Sequence, residues 1–109
     1  MPSIQALSGK PNFRRVFASG TRCTRDGVTV VACPREEGPA RLGLAVGRAA
    51  GKAVVRNRIR RRLRAAVRAY GPGPADIVVV GRAPLHSAPF ASVEEYVREC
   101  LARAGVARA

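Results

Sequence analysis

The chain has 109 residues, enough for one domain with a modest core. Twenty basic side chains against seven acidic ones give a net charge of +13, more than solubility requires, and favour a polyanion as partner. No apolar run approaches the roughly 18–20 residues of a membrane span, and the N-terminus lacks the apolar stretch of a secretory signal.

Residues 1–10 read as a short polar lead, and the fold is expected to begin near Pro11. Pro11-Asn12 offers a helix start, with Phe13, Val16 and Phe17 recurring at helical spacing. Ser19-Gly20 closes that helix, and Gly20 suits a left-handed C-terminal position. Residues 21–24 predict a short strand and Arg25-Asp26-Gly27 a turn. Residues 28–33 are rich in β-branched side chains and predict a second strand. A loop follows to Ala40, and Arg41 to Gly47 predicts a third strand. An Arg-rich helix then runs to Tyr70 and is closed by Gly71-Pro72-Gly73-Pro74. Residues 76–82 are apolar on both faces, as in a central buried strand. After a loop over 83–91, Ser92-Val93-Glu94-Glu95 has the form of a capping box. Val93, Tyr96, Val97, Cys100, Leu101 and Ala104 make the stripe of a last helix, ending at Gly105. The order is α-β-β-β-α-β-α. The expectation is one α+β domain over 1–109, core about 11–105, with a small mixed sheet and packed helices. The strand–helix–strand unit around the Arg-rich helix predicts parallel pairing of its two strands.

That helix carries the functional signal. Val55, Ile59, Leu63, Ala66, Val67 and Tyr70 fall within an arc of about 120° at helical periodicity. Arg56, Asn57, Arg60, Arg61, Arg64 and Arg68 occupy an adjoining arc, and Arg58 and Arg62 flank the stripe on its other side. Like charges at i,i+4 repel, and no acidic residue lies between Glu37 and Asp76 to relieve them. A solvated face would interleave Glu with Arg. Lys10 and Lys52 are the only lysines, so 18 of the 20 basic residues are arginine. A GC-rich coding sequence explains much of that ratio but not the clustering. Guanidinium forks match phosphate oxygens and stack on bases, which fits RNA.

No catalytic constellation is visible. His86 is the single histidine and stands in a Pro-flanked loop. The seven acids are scattered, with Glu94-Glu95 in a first helical turn where acids favour the macrodipole. No catalytic or metal-ligating residue is therefore expected on this chain. Cys23, Cys33 and Cys100 include no CxxC pair, so they read as small apolar residues in a reducing cytoplasm.

Lys52-Ala53-Val54-Val55-Arg56-Asn57-Arg58-Ile59-Arg60-Arg61-Arg62-Leu63-Arg64 resembles the signature of the protein component of bacterial ribonuclease P. Asn12 to Thr21 is similar to that family's opening Phe-x-x-Val-(Phe/Tyr)-x-x-Gly. Arg41 to Gly47 and Asp76 to Arg82 are similar to the strands on either side of its basic helix. Four blocks in the right order cover about Asn12 to Leu101. The resemblance implies a fold like a ribosomal protein domain, with a left-handed βαβ crossover against the usual preference. It implies removal of the 5′ leader from precursor tRNA, with catalysis on an RNA subunit that uses Mg²⁺ and no cofactor on the protein.

The implied partners are ribonuclease P RNA and precursor tRNA, with no membrane and no obligate protein partner. Arg48, Lys52, Arg56, Asn57, Arg58, Arg60, Arg61, Arg64 and Arg68 are the expected contacts to the catalytic RNA. Phe13, Arg14 and Phe17 are expected in a separate cleft that holds the leader, the rings acting as stacking platforms. A core role for both rings is the competing reading. The chain departs from the family where Val28, Val30 and Val31 replace aromatics on the middle strand, and where Ala65 replaces a Glu. The alternative function is a non-catalytic ribosomal or ribosome-assembly protein, which would not depend on a precursor's leader. A DNA-coating protein would show arms or a dimer surface. A membrane-surface helix would need a broader apolar face than this one, which packing already uses.

Overall fold

The computed structural model describes residues 3–109. Strands β1 (Gln5–Ala6), β2 (Thr21–Arg25), β3 (Val28–Pro34), β4 (Arg41–Val46) and β5 (Ala75–Gly81) form one sheet in the order β1-β4-β5-β3-β2. Helices α1 (Lys10–Ser19), α2 (Ala53–Tyr70) and α3 (Phe90–Arg103) flank it, with 3₁₀ turns at Arg48–Ala50 and Ala83–His86. β5 is central, parallel to β4 and antiparallel to β3. β4, α2 and β5 therefore make the expected parallel crossover. Asp26 and Gly27 both take positive φ, 47° and 91°, which gives the tight turn that joins β2 to β3. Among the described residues no helix is long and apolar enough to cross a membrane.

Alternation along the strands separates two cores of unequal size. Val28, Val30, Leu42, Val46, Ile77 and Val79 face α2 and α3 and pack with Ile59, Leu63, Val67, Val93, Val97 and Leu101. Ile59 and Leu63 are fully buried, each worth about 1.5–3 kcal/mol of transfer free energy. α2 approaches β5 closely because Gly81 has no side chain. A Cβ there would lie 2.7 Å from Leu63 Cδ1 and 2.8 Å from Ile59 Cγ2. On the other face Leu7, Val16, Val31 and Val78 form a small cluster, with Phe13, Cys33 and Val80 half-buried against it. α1 alone packs there, so much of that face stays open.

Four features differ from the sequence reading. The polar lead contains β1, parallel to β4, and Leu7 is buried, so chain order begins with a fifth strand. Gly20 is extended (φ −82°, ψ 161°) rather than left-handed. Its role is steric, since a Cβ would lie 2.6 Å from the Val16 carbonyl oxygen and 2.8 Å from Val31 Cγ1. α3 begins at Phe90 with Pro89 at its N-cap, so Ser92 sits inside the first turn and makes no capping bond. Pro89 sets the start because its fixed φ, −56° here, leads directly into the helix. The loop over 83–91 holds a 3₁₀ turn whose Leu85 is fully buried.

Candidate nucleic-acid interface

The arginines of α2 divide into sectors that follow from their angular positions. Arg60, Arg64 and Arg68 repeat at i,i+4 and line one wall of a cavity of about 470 Å³. The opposite wall is residues 4–9, and Leu42, Gly43, Leu44 and Phe13 complete it. Arg60 is held at its rim. Its Nη1 donates to Asn57 Oδ1 at 2.9 Å and its Nη2 reaches the Val46 carbonyl at 3.5 Å. Asn57 is thus an acceptor that orients Arg60. Arg56, nearer the apolar stripe, is half-buried, and its Nε is buried with no partner among the described residues. Arg61, Arg64 and Arg68 are exposed, as are Arg48 in the first 3₁₀ turn and Lys52 at the α2 N-cap.

Arg58 and Arg62 point the other way, toward the 83–88 segment. Arg58 Nε donates to the His86 carbonyl at 3.1 Å while most of the side chain stays exposed. Arg62 is a strap. Its two terminal nitrogens donate to the carbonyls of Leu85, His86 and Ala88, and its guanidinium lies 5.8 Å from the Phe90 ring centroid. Burial, and then the nearby Arg58 charge, lower the Arg62 pKa. Arg62 therefore leaves the band of free cations that the periodicity suggested.

The second site lies on the open face of the sheet. Lys10, Phe13, Arg14 and Phe17 share one flank of α1 and, with Gly9, line a cavity of about 500 Å³. Phe13 rests on β4 where Gly43 permits contact, since a Cβ at 43 would come within 2.5 Å of its ring. Phe17 is 37% exposed, and Arg22 of β2 stacks 5.8 Å from its centroid. Arg15, on the far flank of α1, reaches Asp76 in the row Cys33–Asp76–Arg41. On the opposite side the floor of this sheet face is the row Thr24–Thr29–Val80–Ala45, in which Thr24 is exposed, Val80 and Ala45 are half-buried and Thr29 is buried. On that floor Thr24 and Thr29 share a hydroxyl bond of 3.0 Å, and Arg82 Nη1 donates to Thr29 Oγ1 at 2.9 Å. Phe13 and Phe17 are thus neither both core nor both free; one is packed on β4 and one presents its face.

Asp76 fixes one end of the sheet face on which α1 packs. It is 1% exposed, and Arg41 grips it in a fork with Nε–Oδ1 of 2.6 Å and Nη2–Oδ2 of 2.7 Å. Arg15 Nη2 adds a bond of 2.6 Å to Oδ2. Burial pushes this carboxyl up, but the hydrogen bonds from Arg41 and Arg15 outweigh it and hold the pKa below the ordinary value.

Sequence reasoning missed Arg22, Thr24, Thr29 and Arg82, which become neighbours only when β2, β3 and β5 pair. Residues 4–9 were missed because two residues of strand give no periodicity. Among the described residues no three His, Cys, Asp or Glu side chains gather where they could hold a metal ion. His86 lies half-buried in its turn, with its carbonyl taken by Arg58 and Arg62.

A statistical model of the family described as Ribonuclease P matches residues 1–105. The chain is similar in structure to the RNase P protein of Staphylococcus aureus, with a TM-score of 0.80 at 26% identity over 93% of this chain and 95% of that one. For the RNase P protein of Thermotoga maritima the TM-score is 0.76 at 27% identity, over 87% and 93%. The Thermotoga protein solved in complex with 1-(4-fluorophenyl)-2-thiourea matches with a TM-score of 0.75 at 28% identity, over 85% and 94%. No curated protein sequence matches the chain.

Proposed function

The chain belongs to the ribonuclease P protein family and is a subunit of that tRNA-processing endoribonuclease; we propose that it holds the catalytic RNA on α2 and the 5′ leader of precursor tRNA in the groove beside α1. Its contribution is then electrostatic and positional, with bond cleavage left to the RNA subunit and the Mg²⁺ that RNA uses. Arg60, Arg61, Arg64 and Arg68, with Arg48, Lys52 and Arg56 at the helix start, neutralise phosphates of the folded RNA. Asn57 orients Arg60, and Arg58 contributes its exposed guanidinium from the other flank.

The observation that carries this reading is the difference between the two surfaces. One is a comb of guanidiniums with no acid among them, suited to the phosphates of a folded RNA. The other combines aromatic faces and a few cations, with the exposed Thr24 on the neighbouring strand, suited to an extended single strand. Phe17 with Arg22 supplies a platform for a base, Phe13 packs the groove wall, and Arg14 and Arg82 lie within reach of the strand's phosphates. A leader held there favours precursor over product, because mature tRNA has no strand to place in the groove.

The test compares precursor and mature tRNA binding to the assembled complex. Phe17→Ala should cut the preference for precursor about tenfold, in line with losing one stacked base, and leave mature tRNA affinity unchanged. Equal losses on precursor and mature tRNA would contradict a leader groove.

A further inference from the structure

The cavity between β1 and α2 does not resemble a surface that merely neutralises phosphates. Its volume of about 470 Å³ falls within the roughly 300–1,000 Å³ of small-molecule clefts. Its chemistry is divided across the gap. Ile4, Leu42 and Leu44 supply an apolar floor, with Ile4 and Leu44 packed against the main core. Ala6 pairs in register with Leu42, so its methyl group points to the same α2 side. Arg60, Arg64 and Arg68 supply the facing wall, and no Asp or Glu lines the cavity. Among the described residues Arg64 and Arg68 form no ion pair, and Arg60 bonds only to neutral acceptors. Arg64 and Arg68 thus stand across the cavity from apolar side chains, with Gln5 and Ser8 also lining it.

We propose that this cavity receives one unstacked nucleotide of the ribonuclease P RNA, its base on the Ile4–Ala6–Leu44 floor and its phosphate on Arg60, Arg64 and Arg68. The proposal rests on the reading that α2 holds that RNA. An unpaired base in a bulge or loop is free to leave the stack, and apolar surfaces and guanidinium planes are what such bases meet on proteins. A guanidinium wall also matches the phosphate oxygens that flank the base. A peptide carboxylate would satisfy the arginines and leave the floor unused. A duplex would satisfy the arginines and could not enter. The cavity shares Gly9 and Phe13 with the groove beside α1. The inserted nucleotide would therefore brace β1 and Phe13 from behind, linking the hold on the RNA to the wall of the leader groove.

The experiment fills the cavity without touching its charge. Ala6 is exposed, so Ala6→Trp leaves the core intact while placing an indole over the floor, and Ala6→Leu is a smaller step in the same direction. Affinity for ribonuclease P RNA is measured at fixed salt, alongside a plain RNA duplex as a control for phosphate binding. Ala6→Trp should weaken binding to the catalytic RNA about tenfold, the worth of one base contact, with Ala6→Leu in between and the duplex unchanged. Acylation of RNA 2′-hydroxyls supplies a second readout. The wild-type chain should protect one single-stranded nucleotide that Ala6→Trp leaves reactive, with the rest of the footprint retained. Wild-type affinity and an unchanged footprint for both Ala6 variants would overturn the proposal. In that case a loss of RNA affinity in Arg60→Ala/Arg64→Ala would still sustain the reading of α2. Wild-type affinity in that double variant too would remove both.

Discussion

A single buried carboxylate organises one end of the sheet face on which α1 packs. Asp76 lies at 1% exposure and takes three short hydrogen bonds from Arg15 and Arg41, which tie α1 and β4 to β5. Its pKa is held below the ordinary 3.8, so its ionised form stabilises the fold above about pH 4. That stabilisation is lost as pH falls through the lower, folded value. Asp76→Asn should cost about 2–4 kcal/mol at pH 7, because hydrogen bonds to charge are lost and Arg41 is left without its fork. Urea unfolding at several pH values checks this. The gap between wild type and variant should stay constant above about pH 4 and close below it, whereas a gap that widens in acid would contradict the assignment. The sequence marked Asp76 only as the first residue of an apolar strand. Its partners lie 61 and 35 residues away, so no local pattern carries the pairing. Gly43 was likewise visible as a glycine in a strand, but its purpose depends on Phe13 lying across it.

At the scale of one element, α2 shows how far periodicity reaches. The stripe Ile59, Leu63, Ala66, Val67 and Tyr70 is buried as the spacing requires, with Val55 half-buried at its start. Gly71 closes the helix in the left-handed region at φ 68°. Charge type alone could not separate Arg61 from Arg62, because the difference lies in what each guanidinium meets. Arg61 meets solvent, and Arg62 meets three carbonyls. Arg62→Ala should therefore lower stability by about 2–4 kcal/mol, since buried acceptors lose their donors. Arg61→Ala should leave stability within about 0.5 kcal/mol, as surface substitutions do. Thermal unfolding of the two variants tests the distinction, and equal effects would contradict it. RNA binding should separate them in the opposite sense. Arg60→Ala/Arg61→Ala should reduce the slope of log affinity against log salt by about 2, one for each phosphate contact removed. An unchanged slope would mean that those side chains touch no phosphate.

Across the whole molecule, charge and topology act together. The net charge is +13, and four of the seven acids, Asp26, Asp76, Glu95 and Glu99, pair with arginines. Asp76 holds Arg15 and Arg41. Glu99 pairs with Arg25 and Arg103, and Arg25 also stacks 4.9 Å from the Tyr96 ring centroid, fastening β2 to α3. Among the described residues no acid lines the wall formed by Arg60, Arg64 and Arg68, so an added anion should relieve self-repulsion there. Sulfate should therefore raise the thermal midpoint more than chloride at matched ionic strength, and it should do so less in Arg60→Ala/Arg64→Ala. The α+β class, the order of the four longer strands along the chain and the basic helix could all be read from residue pattern. Adjacency across the sheet, beyond the β4–β5 pair, could not, and it is adjacency that brings Thr24, Thr29 and Arg82 together and sets β1 beside α2. Cleavage of precursor tRNA by a bacterial ribonuclease P RNA at low Mg²⁺, with and without this chain and with a protein-only control, addresses the assignment as a whole. The expected result is cleavage at the mature 5′ end only when RNA and protein are both present. No rescue of the RNA by the chain, or cutting by the repurified chain alone, would contradict it.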